Sequence, residues 1–294
     1  MSPAVEDSRS PQTFLAVRAL RGESDEVALG VSFLPLSAID PMRWGVEHEP
    51  EALLAAVCAQ LRLDFVFVSG SEPWSGHAVD RLEGTGTAAF WSVDGPLGRV
   101  ASSIGWGETL RLTASHPERL APMLDRALAN ALSEIGEGVA ATAAGIVIAE
   151  DLAGSSGPLI SPDFANDELV PRLARMVRLT EDHGLPAIMH CDGDVRVFLS
   201  GVSRAGFSAI HAGGFGEEAF VRIVRDARTF GLRIIGGIEG SALREGVPAA
   251  VRAGTQAALF ALAGDLLISD DGSISAPGEL SAFMAALSAA RGES

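Results

Sequence analysis

The 294-residue sequence contains no tyrosine, only two cysteines and few basic residues. Cys58 and Cys191 are too few for a disulfide framework, and a reducing cytosol suits them. The 22 basic residues stand against 38 acidic ones, which gives a net charge of −16. Because nucleic acids and anionic membranes are bound through Lys and Arg, this charge predicts neither of them as a partner.

Long apolar runs are also absent. Residues 257–263, one of the longest stretches, are too few to cross a bilayer, and Arg252 and Asp265 flank them. Residues 1–12 are polar and lack the basic start and apolar core of a signal peptide. We therefore expect a cytoplasmic protein with a disordered tail over residues 1–12.

The sequence does contain an alternation of short apolar runs and longer amphipathic segments. The apolar runs are rich in Val, Ile, Phe and Leu, as strands covered on both faces are. The predicted strands are residues 27–34, 65–68, 88–92, 145–149, 186–189, 207–210, 233–236 and 265–268. The predicted helices are residues 49–61, 116–136, 167–183, 195–205, 217–230, 248–263 and 277–290. Repeated strand–helix units predict a parallel sheet, and eight strands favour its closure into a (β/α)8 TIM barrel.

Glycines mark the boundaries of this pattern. Gly184, Gly206, Gly231 and Gly264 each precede a predicted strand closely, where a left-handed residue ends the helix before it. Residues 88–100 depart from the alternation, because FWSVDGPLGRV has the pattern of an inserted hairpin. Low-complexity linkers are absent, so residues 13–294 are expected to form a single domain.

Acids and histidines follow most of the predicted strands. In a parallel barrel the chemistry lies at the carboxyl ends of the strands, so these side chains are expected on one rim. The candidates are Glu72, Glu150, Asp151, His190, Asp192, His211, Glu239 and Asp271. Such residues can bind a divalent metal through nitrogen and oxygen, or exchange protons where neighbouring carboxylates raise one another's pKa. Each also has a structural interpretation, because Asp is a common turn and cap residue.

The four tryptophans all lie in the first half of the chain, near predicted loops. Trp44, Trp74, Trp91 and Trp106 either line a pocket for a flat or apolar ligand or cover the end of the barrel. The sequence has no nucleophile elbow, P-loop or dinucleotide fingerprint.

Four segments of the second half carry a family resemblance. They read AEDLAGSSGPLISPDF, LPAIMHCDGDVRVFLSGVSRAGFSAIHAGG, GLRIIGGIEGSALREG and DLLISDDGSISAPGEL. Together they resemble the uroporphyrinogen decarboxylase superfamily, which contains tetrapyrrole decarboxylases and methylcobamide:coenzyme M methyltransferases. The resemblance implies a (β/α)8 barrel, which the strand pattern predicts independently.

The match to the decarboxylase branch is incomplete. That branch binds substrate carboxylates through an Arg-rich N-terminal motif, and here only Arg43 stands nearby. Its catalytic Asp follows the second strand, where this chain has Ser69, Gly70 and Ser71, with Glu72 as the nearest acid. It also uses a tyrosine, which this sequence lacks. The resemblance therefore does not imply tetrapyrrole decarboxylation.

The methyltransferase branch implies a zinc site formed by a His-x-Cys motif and a second, later Cys. His190 matches the histidine, and Asp192 stands in place of the first Cys. Serine and aspartates near the last strand replace the second Cys. The implied metal ligands are His190 and Asp192, completed by Asp271 or Glu239. This ligand set is harder than a thiolate site and less selective for zinc.

Three functions remain open at this point. The first is a metal-assisted, corrinoid-linked methyltransferase. Its substrate would be a small molecule, and a small corrinoid protein would be its partner. The second is a metal-free decarboxylase or other lyase, with Arg196 and Arg244 as candidates to bind substrate anions. Its catalytic candidates are Glu72, Glu150, Asp151 and His211. The third is a non-catalytic binding protein that has lost the family chemistry.

Overall fold

The barrel strands form one parallel sheet in chain order. The computed structural model describes residues 11–36, 39, 44, 49–154, 156–213, 217–262, 264 and 266–293. Its 8-stranded sheet consists of β1 (Gly30–Phe33), β2 (Phe65–Ser69), β3 (Ala88–Asp94), β4 (Gly145–Ala149), β5 (Ala187–Asp192), β6 (Ala209–Gly213), β7 (Arg233–Ile238) and β8 (Leu266–Asp270). A bridge between Leu29 and Ile268 joins the last strand to the first. The chain is therefore a (β/α)8 TIM barrel, which confirms the predicted fold.

Several strands continue further into polar sequence than the apolar runs predict. β5 extends to Asp192 and β8 to Asp270, and both residues pair in register with a neighbouring strand. Strand pairing uses backbone groups, so polar side chains at a strand end do not prevent it. Asp265, which the pattern places at the start of the last strand, lies outside the described residues.

The helices surround the sheet. They are α1 (Leu15–Arg21), α2 (Pro50–Gln60), α3 (Ser75–Glu83), α4 (Pro96–Ile104), α5 (Trp106–Ser115), α6 (Pro117–Ala140), α7 (Val170–Asp182), α8 (Leu199–Ala205), α9 (Glu217–Thr229), α10 (Gly240–Glu245), α11 (Val247–Ala261) and α12 (Pro277–Ala290). The pattern misses α1, α3, α4, α5 and α10. Within the described part of the chain, no helix has both the length and the apolar composition needed to cross a membrane.

The hairpin predicted over residues 88–100 is wrong. β3 runs to Asp94, and α4 begins at Pro96, directly after the extended Gly95. Asp-Gly-Pro is a turn signal, but proline is equally suited to the first turn of a helix, where its missing N–H has no helical acceptor. The strand–helix alternation is therefore maintained here.

The predicted helix-ending glycines are confirmed. Gly184, Gly206, Gly231 and Gly264 have φ angles of 71°, 98°, 71° and 89°. An L side chain rarely adopts this left-handed conformation, whereas glycine reaches it without strain.

Two apolar clusters fill the molecule, one inside the barrel and one between the barrel and its helices. The inner cluster includes Phe65, Phe67 and Phe90, and it also contains Ala16 and Leu20 of α1. Helix α1 lies at the amino ends of the strands, where Arg21 donates to the carbonyl of Gly184. With that end covered, the carboxyl ends of the strands remain for a functional site. The predicted disordered tail lies outside the described residues up to residue 10, and Pro11–Thr13 form a 3₁₀ turn.

Candidate functional site

The last residues of β5 point alternately into and out of the barrel. His190 and Asp192 belong to one face of the strand, and Cys191 belongs to the other. Cys191 is buried among the helix-side residues, where the Leu152 amide donates to its Sγ at 3.2 Å. Burial raises the pKa of this thiol, so it stays protonated and is no thiolate ligand.

Asp151, His190 and Asp192 converge at the mouth of the barrel. Each offers one ligand atom, and these atoms all lie within 4.8 Å of one another. Asp151 follows β4, which pairs with β5 so that Ala149 stands beside His190. One ring nitrogen and two carboxylates at this spacing match the ligand atoms around a single divalent ion.

The two carboxylates of this cluster repel each other. Burial raises the pKa of Asp151. Burial, together with repulsion from Asp151 and Asp271, raises the pKa of Asp192 to about 6. A bound cation would relieve this repulsion, so the electrostatics and the donor atoms both fit a divalent metal.

His190 is supported from behind by a second histidine. Its Nδ1 lies 2.7 Å from Nδ1 of His211, whose Nε2 lies 2.9 Å from the carbonyl oxygen of Asp270. Burial lowers the pKa of both histidines to about 4. The rings of Phe33 and Phe67 pack at steep angles against the imidazole rings of His190 and His211.

Two adjoining cavities open at this end of the barrel. One, of about 360 Å³, is lined by Phe33, Ser69, Ser71, Ser92, Asp94, Gly98, Ser102, Trp106, Glu134, Ala149, Asp151 and His190. The other, of about 460 Å³, shares Phe33 and Ser69 and is otherwise mainly apolar, with Trp74 and Glu72 in its wall. Among the described residues, no arginine lines either cavity. The mouth therefore offers hydroxyls, acids and aromatic surface to a small molecule.

Glu150 has different neighbours from Asp151. Its fully buried carboxyl group accepts hydrogen bonds from the amides of Leu97 at 3.1 Å and Gly98 at 3.0 Å, in the first turn of α4. Burial raises its pKa to about 8, although these two amides act in the opposite direction. Its side chain thus anchors a helix and does not line the cavity next to Asp151.

Asp271 and Glu239 are not among the three residues whose ligand atoms lie within 4.8 Å of one another. Asp271 accepts from the amide of Gly240 at 2.8 Å and from the hydroxyl of Ser273, so it holds the start of α10. Glu239 lines another cavity, of about 290 Å³, beside α9 and α11. Two of the four predicted ligands, His190 and Asp192, therefore come together with Asp151, which the sequence suggested for proton transfer.

Some residues of the mouth escape sequence reasoning. Asp94 is the last residue of β3, and the mistaken hairpin concealed it. A strand followed by Gly-Pro at a helix start would have placed it on the rim. Trp106 and Glu134 come from helices, which strand-end reasoning does not reach. Trp74 and Trp106 line cavities, whereas Trp91 is buried in the helix-side core.

The chain matches a protein family over most of its barrel. The family model described as uroporphyrinogen decarboxylase (URO-D) matches residues 87–265, a segment that contains Asp151, His190 and Asp192. No curated protein sequence matches the chain.

Solved structures share the fold at low sequence identity. A methyltransferase from Methanosarcina mazei superposes with a TM-score of 0.70 and 18% identity, covering 97% of this chain and 98% of its own. A D-psicose 3-epimerase, solved with D-tagatose, from Clostridium cellulolyticum H10 superposes with a TM-score of 0.51 and 11% identity. That match covers 84% of this chain and 92% of the epimerase. Similarities at this level of identity establish the barrel architecture alone.

Proposed function

Because the chain belongs to the uroporphyrinogen decarboxylase (URO-D) family, we propose that it is an enzyme that transfers a methyl group with the help of a divalent metal. The observation that carries this proposal is the convergence of Asp151, His190 and Asp192 within 4.8 Å of one another. The likeness to a methyltransferase along nearly the whole of both chains supports it.

The residues of the mouth would have two roles, to bind the metal and to orient the methyl acceptor. Asp151, His190 and Asp192 would hold the metal, and with three protein ligands they leave room for a fourth ligand from the cavity. The metal, when bound, supplies Lewis acidity that lowers the pKa of a thiol or hydroxyl on the methyl acceptor. Ser69 and Ser71, whose hydroxyls lie 2.9 Å apart, would orient polar groups of that acceptor.

The methyl donor is proposed to be a corrinoid. A cavity of about 360 Å³ suits a small molecule. Because a corrinoid is larger than such a small molecule, it would approach from outside the mouth, carried by a second, small protein. The cavity would hold the acceptor, and Phe33 and Trp106 would limit the access of water to it.

A metal-free decarboxylase has less support. An enzyme that acts on a polycarboxylate needs cations beside the substrate. All 22 basic residues are arginines, and no described arginine lines either mouth cavity. Arg196, one of the candidates, pairs instead with Asp194 through bonds of 2.8 and 2.5 Å. Arg43 lies outside the described residues.

Metal content of the purified protein tests the site. We expect about one divalent ion per chain in the wild type, and a loss of affinity of about tenfold or more in His190→Ala and Asp192→Asn. Asp194→Asn is the matched control, because Asp194 lies two residues beyond Asp192 but pairs with Arg196. A wild type that retains no divalent ion after reconstitution would contradict a metal-assisted mechanism.

A turnover assay then tests the reaction. Wild type and Asp194→Asn should demethylate methylcobalamin in the presence of a thiol acceptor, whereas Asp192→Asn should not. A protein that binds the metal but leaves methylcobalamin unchanged with a panel of thiols would contradict the corrinoid-linked reaction and retain the metal site.

A further inference from the structure

The contact between His190 and His211 fixes the position of one proton. Their Nδ1 atoms lie 2.7 Å apart, a distance that requires a hydrogen bond. Two N–H groups would collide there, and two lone pairs would repel each other. One ring therefore donates from Nδ1 and the other accepts.

The backbone of β8 decides which ring donates. Nε2 of His211 lies 2.9 Å from the carbonyl oxygen of Asp270, which can only accept, so this nitrogen carries a proton. A neutral imidazole carries a single N–H. His211 is completely buried, and its two ring nitrogens contact a neutral carbonyl and a second imidazole rather than a carboxylate that would balance a charge, so its ring is neutral. Nδ1 of His211 therefore accepts, and Nδ1 of His190 donates.

We propose that His211 is a positioning residue that holds His190 in the tautomer protonated at Nδ1 and so keeps the Nε2 lone pair available to a metal. This inference rests on the metal site proposed above and adds the group that prepares its nitrogen ligand. A metal binds only an unprotonated nitrogen, and Nδ1 of His190 is occupied by its bond to His211. The carbonyl of Asp270 is the fixed end of the chain of hydrogen bonds.

Aromatic packing keeps both rings in these orientations. The Phe33 ring meets His190 edge-on with a centroid distance of 5.4 Å and an interplanar angle of 68°. The Phe67 ring meets His211 in the same manner, at 5.2 Å and 74°. A flip of either ring would place a ring carbon where its Nδ1 now lies and break the shared hydrogen bond. The packing therefore favours one tautomer of the pair.

Nitrogen-15 NMR of the metal-free protein tests the tautomers directly. In the wild type we expect a protonated Nδ1 and an unprotonated Nε2 on His190, and the opposite assignment on His211. His211→Phe retains a ring of similar size but no acceptor, so His190 should shift towards the form protonated at Nε2. His211→Asn places an oxygen near the position of Nδ1 and should restore the wild-type tautomer. A wild-type His190 protonated at Nε2, or a positively charged His211, would overturn the proposal even if neither variant folds.

Metal affinity supplies the second measurement. Loss of a group that orients a ligand histidine typically weakens binding about 10- to 100-fold, so we expect a Zn²⁺ affinity lower by that factor in His211→Phe and largely restored in His211→Asn. Unchanged affinity and unchanged tautomer in folded His211→Phe would refute the positioning role. If the wild type shows the expected tautomers but binds neither Zn²⁺ nor another divalent ion, the proposed function fails while the role of His211 in fixing the tautomer stands.

Discussion

Glu150 and Asp151 follow β4 directly, and their side chains point to opposite sides of the barrel wall. The in–out alternation of the strand explains this difference. Val147 and Ala149 face the barrel interior and its mouth, whereas Ile146 and Ile148 face the helices. If this alternation continues for two more residues, the side chain of Glu150 points outward, to the start of α4, and that of Asp151 points inward. The sequence therefore contained the signal that distinguishes the two acids.

The buried Glu150 makes stability depend on pH. Burial raises the pKa of its side chain from the ordinary 4.5 to about 8 in the folded protein. Between these values the folded state binds a proton that the unfolded state has released, so this group's contribution to stability falls as pH rises. The contribution is complete below pH 4.5 and is lost above pH 8, at up to about 1.4 kcal/mol per pH unit between them.

Glu150→Gln removes this dependence. The amide oxygen of glutamine can accept from one of the two amides, which donate to different oxygens of Glu150, and the side chain is neutral at every pH. We expect the free energy of unfolding of the variant, relative to wild type, to increase from pH 5 to pH 8 in urea titrations. Glu108→Gln, on an exposed helix face beside Arg111, is the control and should show little relative change. Parallel pH profiles for Glu150→Gln and wild type would contradict the buried proton.

At the scale of elements, one aspartate joins the first and last strands. The register between β1 and β2 shifts between Val31 and Phe33, so Ser32 is not paired there. Its amide and hydroxyl instead donate to the buried carboxylate of Asp270, in β8, at 2.7 and 2.8 Å. The amide of Gly272 donates to the same carboxylate at 2.9 Å. Asp270 thus closes the barrel where few backbone bonds do so.

Asp270→Ala should therefore destabilise the barrel strongly. It leaves several buried donors without an acceptor, each worth about 1–3 kcal/mol, so we expect a loss on the order of 3 kcal/mol in the free energy of unfolding. Asp194→Ala removes an aspartate from an ion pair that is only partly buried and should change stability by about 1 kcal/mol or less. Equal effects of the two substitutions in urea denaturation would refute the closing role of Asp270.

The same reasoning shows why the ligand set could be predicted only in part. Strand order places His190 and Asp192 beside Asp151, and the inward period of β5 is regular. In β7 the period is interrupted, because Gly236 and Gly237 both have positive φ and a Cβ on Gly236 would lie 3.2 Å from the Phe220 ring of α9. Glu239 consequently lines the cavity beside α9 and α11. A glycine pair in a strand signals such an irregularity, but the direction of the turn depends on packing that the sequence does not state.

For the molecule as a whole, the closed sheet supports one cooperative unit. The helix-side apolar cluster includes residues from Val31 to Leu287 without a break between halves of the chain. We therefore propose that residues 13–294 form a single domain. The tryptophans provide a local probe of this, because all four lie between residues 44 and 106. The candidate metal ligands, by contrast, lie between residues 151 and 192.

Urea unfolding followed by two signals tests this proposal. Tryptophan fluorescence reports the first half of the chain, and far-ultraviolet circular dichroism reports helices throughout it. If the barrel is one domain, the two transitions should coincide, as they do for two-state proteins.

Saturating Zn²⁺ should then raise both midpoints together, since a ligand at 100 times its Kd stabilises the folded state by about 2.7 kcal/mol. His190→Ala, which removes a ligand, should unfold in one transition whose midpoint the same Zn²⁺ concentration raises by less than in the wild type. The alternative outcome is a fluorescence transition that occurs at lower urea than the dichroism transition and has a midpoint unchanged by Zn²⁺. It would show that the tryptophan-containing half unfolds separately from the half that holds the metal.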